Sequence, residues 1–324
     1  MNQLAERLRQ AILAEGPIGV DRFMGEANAH YYATRDPLGV DGDFTTAPEI
    51  NQMFGELVGA ALADVWLRTG GPEEAMFVEL GPGRGTLAHD ALRVMRSGGF
   101  AGEVHLVETS PVLRQLQSER IPDARWHGTI DDLPPRPMML IANEFLDALP
   151  IKQFIAGEER KVVRGAERFV FKAEGEIVEH SPARDALVRR LAAHLIAHGG
   201  AAILIDYGYR RAGPGDTLQA MRNHHFSPPL DHPGEQDLTA HVNFEAVARA
   251  ATGAEVTPVV SQGTWLERLG IGARAMALAA RSPGRTKEIA AARRRLCDEA
   301  EMGELFKVIA LHAPGWPEPA GFRA

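Results

Sequence analysis

The stretch FVELGPGRGTLAHDALR, residues 77–93, changes its hydrophobic period in the middle. Ahead of the glycines, Met76-Phe77-Val78-Glu79-Leu80 is a short apolar run; behind them, Leu87, Ala91, Val94 and Met95 recur at i, i+4, i+7 and i+8. That switch predicts a strand, a tight turn and a helix. Gly81, Gly83 and Gly85 leave the turn without side chains, so backbone N–H groups and the positive end of the helix can come close to a polar ligand. A turn that merely needs positive φ would use glycine as well. The G-x-G-x-G spacing departs from the dinucleotide fingerprint, which puts its third glycine one residue later.

Outward from this pivot, short apolar segments alternate with helical ones. VHLV at 104–107, a weaker strand near Arg125-Trp126-His127, MMLIAN at 138–143 and AAILIDYG at 201–208 read as strands. Such alternation argues for an α/β fold, a parallel sheet with helices on both faces. The helix before AAILIDYG is bracketed by Ser181 as N-cap, Pro182 just inside and Gly199-Gly200 at its end, with Leu187, Leu191 and Leu195 on one face. The segment between Lys152 and Lys172 reads as an inserted hairpin. Proline, glycine and histidine crowd into 212–241, a long connection of the kind that often carries function. Trp265 to Gly303 is helical in pattern, and LFKVIALHA at 305–313 reads as a last buried strand.

Upstream, Leu4, Leu8, Ala11 and Ile12 share a helical face that stops at Gly16, and Phe54, Val58, Ala61 and Val65 mark a second helix. Between them lies the glycine- and aspartate-rich GVDGDFTTAPE, with Pro48 at an early-turn position. The expected organisation is an N-terminal helical extension over 1–75 that contributes to the active site, a core over 76–315 and a tail over 316–324. Within the core, 151–180 is a β insertion, 210–245 a substrate loop and 264–303 a helical insertion.

Composition narrows the class. With 324 residues, 45% hydrophobic and 24% charged, the chain has the make-up of a soluble globular protein. Lys plus Arg number 35 against 43 Asp plus Glu, and the net charge of −8 disfavours general binding to nucleic acid or anionic lipid while tolerating a cationic substrate. The single cysteine, Cys297, excludes an intrachain disulfide and a cysteine-rich zinc site. No apolar run reaches the length of a membrane span, and the first residues resemble no signal peptide, so the expectation is a cytoplasmic protein.

In an open parallel sheet, ligands sit beyond the carboxyl ends of the strands at the switch point. Glu108 follows the second strand, where a carboxylate accepts hydrogen bonds from both ribose hydroxyls of a nucleoside cofactor. That position suits a nicotinamide dinucleotide and a methyl donor equally. Glu79 separates them, because an acid just ahead of the glycines repels a pyrophosphate but binds the cationic amino group of a methionine-type tail. S-adenosyl-L-methionine is therefore the expected cofactor, with Glu79, Gly81, Gly83, Gly85 and Glu108 around it. The competing reading of Glu79 is a carboxylate stabilised by the helix dipole. Asp43, Phe44, Thr45 and Thr46 belong to a loop that would close over the cofactor and exclude water, or, for the threonines, cap the next helix.

Five stretches then resemble a known family: HYYATRDPLGVDGDFTTAPEI at 30–50, VELGPGRGTLAHD at 78–90, NEFLDALP at 143–150, IDYG at 205–208 and PGEQDLTAHVNF at 233–244. The chain is similar to the MidA-like S-adenosylmethionine-dependent methyltransferases, which include a mitochondrial arginine methyltransferase that assists assembly of respiratory complex I. The resemblance implies a class I, Rossmann-like, seven-stranded methyltransferase core with β and helical insertions, acting on a protein arginine, and a respiratory complex subunit as partner. The start of the chain lacks the Arg- and Ser-rich composition of an organellar leader, so a bacterial cytoplasmic setting is expected instead.

Arginine is a difficult acceptor because its guanidinium stays protonated near neutral pH. Carboxylates must grip the planar fork, localise its charge and take up the proton as the methyl arrives. Glu144 and Asp147, three apart after the fourth strand, would share one side of a helical turn and present two acids to one site. Asn143 would orient substrate or cofactor. An N-cap with first-turn acids is the plainer reading of these residues. Asp206 and Tyr207, after the fifth strand, are either further contacts or a structural turn.

His224, His225, His232 and His241 with Asp237 lack an HExxH arrangement, and methyl transfer needs no metal, so none is expected. Asp237, Thr239 and His241 would form a lid at the substrate entrance, or satisfy backbone groups in a long loop. A small-molecule acceptor, and an assembly factor that keeps the cofactor for stability, stay open beside the arginine reading. Residues 264–303 would serve a partner or a homodimer contact equally well.

Overall fold

A computed structural model of the chain describes residues 2–34 and 46–323. Asp43, Phe44 and Thr45, expected near the cofactor, lie outside the described residues. The pivot strand Met76–Leu80 is buried along its whole length. That is the mark of a parallel strand covered on both faces. Phe77 turns to a core shared with Phe54, Val58, Leu62, Leu87 and Ala91, and Val78 and Leu80 turn to another with Leu187, Leu191, Leu195 and Phe244.

Across the sheet the strands run in the order Glu255–Val256, Phe306–His312, Gly200–Tyr209, Met138–Asn143, Met76–Leu80, Val104–Val107 and Ala124–His127. The last five of these are parallel to one another. Val260–Ser261 pairs with Phe306–His312 beside Glu255–Val256, and Val242–Asn243 pairs with the end of Gly200–Tyr209, which brings the sheet to nine strands.

The expectation of a parallel sheet needs correcting at one edge: Phe306–His312 is antiparallel to Gly200–Tyr209. The helical segment that precedes it starts at Gln262, just after Ser261, and ends at Leu305. Ser261 is paired with Lys307, and Phe306 with Tyr207 at the carboxyl end of its strand. The chain thus leaves and re-enters the sheet on the same side, and its final strand has to run backwards.

Three other segments differ from their sequence pattern. A helix at Val20–Thr34 went unpredicted; it packs Val20, Phe23, Met24 and Ala27 into a third core together with Leu4, Leu8, Val162, Phe169 and Leu238. The expected hairpin at 152–172 is instead split between two three-stranded sheets. Lys152–Ile155 pairs with Glu158–Glu159 and Ile177–His180, whereas Lys161–Arg164 pairs with Phe169–Phe171 and with Ile18–Gly19 from the N-terminal region. The connection at 212–241 contains a small sheet of its own, ordered His225–Ser227, Gln219–Arg222, Asp237–Thr239.

Candidate active site

The order of the sheet reverses at Met76–Leu80: the strands that follow it, Val104–Val107 and Ala124–His127, lie on one side, and Met138–Asn143, which comes after them in the chain, pairs on the other. Beyond the carboxyl ends of these three strands opens a cavity of about 320 Å³. Its floor is the glycine turn. Gly81, Gly83 and Gly85 have φ of 61°, 54° and 76°, and Gly85 is the N-cap of the helix Thr86–Ser97. A Cβ on Gly81 would stand 2.6 Å from Cδ2 of Phe145, so that approach admits only glycine.

Glu108 leaves the second strand and enters the same cavity. Its Oε1 accepts the N–H groups of Thr109 and Ser110, both at 2.8 Å, and its Oε2 accepts Nε2 of Gln117 at 3.2 Å. Gln117 also donates to the carbonyl of Gly83 at 2.7 Å, so it ties Glu108 to the glycine turn. Burial raises the Glu108 carboxyl above its usual range, and those donors hold it partly back.

Glu79 is 3% exposed, and its Oε2 has no hydrogen-bond partner among the described residues. Burial pushes this carboxyl up to about 8; the Ala88 N–H opposes the shift and the charge of Glu108 adds to it. The helix-terminus reading therefore holds for one oxygen, since Ala88 lies in the first turn of Thr86–Ser97. The other oxygen faces a cavity with a strong need for a donor.

A second cavity of about 330 Å³ adjoins the first, and Tyr32 and Glu144 line both. Asp147, Tyr207, Asp237, Thr239 and His241 also line it, so the residues expected in a substrate lid do face this space. Glu144 Oε1 accepts the Ala47 N–H at 3.2 Å and Nδ2 of Asn143 at 3.1 Å. Loss of surrounding water, and then the charge of Asp147, push the Glu144 carboxyl up to about 8. Asp147 is raised by burial, opposed chiefly by the Tyr207 hydroxyl, and its Oδ1 has no partner among the described residues. Tyr32 donates its hydroxyl to Oδ1 of Asp237 at 2.7 Å.

The helical turn expected for Glu144 and Asp147 is absent. Glu144 has φ 50°, and its N–H extends the strand pairing to the carbonyl of Ile205 at 2.9 Å. The N–H groups of Leu146 and Asp147 then go to Oδ2 of Asp206 at 2.9 and 3.1 Å rather than to preceding carbonyls. The two acids meet across a turn, not along a helix face.

This also corrects the expected contact role of Asp206. It is fully buried, lines neither cavity, and spends Oδ1 on the Tyr207 N–H at 3.0 Å. Asp206 is a positioning residue that shapes the turn from behind. Thr46 does line the first cavity; it occupies the N-cap position of Ala47–Ile50 without a side-chain capping bond. Asn143 lines it too, with its Oδ1 lacking a partner among the described residues.

Two supporting residues carried no sequence signal. Arg184 is buried in the helix Pro182–His198 and donates to four carbonyls, those of Leu146, Asp147, Ala240 and His241, at 2.6, 3.1, 2.7 and 2.8 Å. It clamps the Glu144 turn to the segment at 240–241. Asn28 bonds the carbonyls of Ala148 and Leu238 at 3.0 and 2.7 Å and accepts the Leu238 N–H at 3.1 Å, which joins the N-terminal helix to the same two segments. Among the described residues no cluster of His, Cys, Asp and Glu is arranged to hold a metal. Of the four histidines in the loop, His241 alone lines the second cavity.

A pyrophosphate would oppose the ionisation of Glu79, whose unpartnered oxygen needs a cation beside it before the carboxyl gives up its proton. The ammonium of a methionine tail meets that need, Glu108 offers acceptors to a ribose, and the glycine turn admits the cofactor's close approach. Fold and cavity together define the class: an S-adenosyl-L-methionine-dependent methyltransferase on a Rossmann-like core. Residues 57–170 and 160–261 match a family model described as "Putative S-adenosyl-L-methionine-dependent methyltransferase". The chain belongs to that family, the MidA-like methyltransferases.

A protein arginine methyltransferase NDUFAF7 homolog, mitochondrial, from Drosophila melanogaster is 34% identical over 95% of this chain and 84% of its own length. The human protein arginine methyltransferase NDUFAF7, mitochondrial, is 32% identical over 95% of this chain and 83% of its own. A crystal structure described as a "likely methyl transferase" from Burkholderia thailandensis, bound to S-adenosyl-homocysteine, superposes with a TM-score of 0.85 at 29% identity, covering 98% of this chain and 93% of that one. The mitochondrial names of the curated relatives lend no support to a cytoplasmic location. Among the described residues no helix is long and apolar enough to cross a membrane.

Proposed function

We propose that the methyl acceptor is the guanidinium of a protein arginine, received in the second cavity. The observation that carries this reading is the acidic chamber behind Glu144: three carboxylates, of Glu144, Asp147 and Asp237, line a space that opens onto the cofactor cavity. S-adenosyl-L-methionine supplies, when bound, a methyl group on a positively charged sulfur. Glu79 would hold its ammonium end, Glu108 its ribose, and the bend at Gly81, Gly83 and Gly85 its flank.

The rest is done by the acceptor side. Carboxylates around a guanidinium fix its plane and draw charge toward the nitrogens they bind, which leaves the remaining nitrogen better placed to attack. Glu144, at the joint of the cavities, is the acid suited to take the proton released. Orientation alone contributes roughly 7–11 kcal/mol in well-aligned systems, so the clamp of Arg184 and the support of Asp206 behind the turn belong to the catalytic design.

The relatives' names, which specify protein arginine methylation, support the same acceptor. We assign as partner class a subunit of respiratory complex I, as the family resemblance implies, and keep 1–75, 76–315 and 316–324 as extension, core and tail. Quantitative mass spectrometry of methylated arginines in cells with and without the chain tests the reading. At least one arginine in a respiratory subunit should lose its methyl groups; an unchanged arginine pattern would move the acceptor to a small molecule.

A further inference from the structure

The small sheet of His225–Ser227, Gln219–Arg222 and Asp237–Thr239 forms one wall of the second cavity, and its two-residue alternation sorts the side chains. Ala220 and Leu238 turn into the core beside the N-terminal helices, whereas Met221 and Asp237, next to them in sequence, line the cavity. In register, Phe226 stands opposite Met221 and Met221 opposite Asp237, so the three make one row across the sheet.

The row changes character along its length. Phe226 is 73% exposed, Met221 is half-buried, and Asp237 is 5% exposed beside Tyr32. The outer end turns tightly: Asn223 and His224 have φ of 49° and 61°, the paired left-handed residues of a two-residue hairpin turn. Leu305, 47% exposed, lines the same cavity.

An apolar flank that ends in carboxylates fits a side chain with a methylene stem and a cationic tip. This deepens the arginine reading and rests on it. With the guanidinium among Asp237, Glu144 and Asp147, the backbone of its chain stays level with Phe226 and Leu305. In an extended segment, residues two apart point to the same face, roughly 6.6 Å from one another, so the second neighbours of the arginine turn back toward that rim.

We infer that the Phe226–Leu305 rim docks an extended segment of the protein substrate that carries a large apolar residue two positions from the methylated arginine. Charge complementarity selects the arginine, and continuity of the rim with the acidic chamber selects the segment around it.

Short synthetic peptides with a central arginine and either leucine or serine two positions away provide the probe, with methyl transfer followed at saturating S-adenosyl-L-methionine. The leucine peptide should be preferred on the order of tenfold in kcat/KM, the scale of burying one large apolar side chain. Phe226→Ala and Leu305→Ser should each shrink that preference, and the double variant should abolish it. Affinity for S-adenosyl-homocysteine by calorimetry should stay at the wild-type value, which also reports that the variants are folded. Equal use of both peptides by the wild-type chain, or a preference that survives the double variant, overturns the docking inference alone. If neither peptide is methylated or bound, the arginine reading falls and the inference falls with it.

Discussion

On the proposed reading the chemistry turns on Glu144, which lines both cavities and whose carboxyl is pushed up to about 8 by its enclosure and by Asp147. If it takes up the acceptor proton, it has to be ionised first. With cofactor saturating, so that Glu79 drops out, kcat/KM for the acceptor should rise with pH and level off near 8. Glu144→Gln should remove that rise and lower kcat by about 10²–10⁴-fold, with the dissociation constant of S-adenosyl-homocysteine nearly unchanged. A loss concentrated in cofactor affinity would relocate Glu144 to the first cavity. At this scale the sequence was informative where a residue stands at the carboxyl end of a strand in the pattern of an open sheet, as Glu79 does within Met76–Leu80 and as Glu108 and Glu144 do just after theirs. It was silent about Arg184 and Asn28, whose partners lie 37–57 and 120–210 residues away and leave no local spacing to read.

Among the elements, the glycine turn and the 144–147 turn show two ways of departing from regular structure. In the first, the backbone itself is committed to positive φ, and the sequence announces it with three glycines. Gly81→Ala should cost about 1–3 kcal/mol of stability and displace Phe145, a wall of the cofactor cavity. Calorimetry should show S-adenosyl-homocysteine binding weakened by at least an order of magnitude, the larger part of it from lost shape rather than lost charge. Wild-type affinity would mean that the bend does not touch the cofactor. In the second turn the determinant is remote. Oδ2 of Asp206 accepts the N–H groups of Leu146 and Asp147 and fixes them in a turn, so the spacing of Glu144 and Asp147 named two residues that do line one cavity, though not from a helix face. The segment at 152–172 was misread for a related reason, because its strands take partners from 18–19 and 177–180 as well as from one another.

For the molecule as a whole, two buried acids set a pH dependence. Glu79 and Glu144 titrate at about 8 when folded, against 4.5 as the ordinary value, so between those limits the native chain binds more protons than the unfolded one. Stability from these groups is complete below about pH 4.5 and declines as pH rises through 8. Denaturant melts of the ligand-free chain between pH 6 and 8 should flatten by up to about 1.4 kcal/mol per pH unit for Glu79→Gln or Glu144→Gln. An unchanged slope in both variants would show that neither acid is held neutral. The alternation of strand and helix made the core legible from the sequence, whereas the reversed final strand came from where the 262–305 segment leaves and rejoins the sheet, which no periodicity encodes.

The N-terminal region finds its partners late. Asn2 bonds the carbonyl of Pro233, Ile18–Gly19 pairs with Val162 and Lys161, and Asn28 waits for Leu238. Residues 2–34 pack against segments that follow them by more than a hundred residues, at 151–169 and again at 218–240. Until those segments are made, Leu4, Leu8, Phe23 and Met24 lack most of the core they share with Ile151, Val162, Phe169 and Leu238. Tyr32, a wall of both cavities, sits at the end of that same segment, so a chain whose first helices have not settled lacks one wall of each cavity.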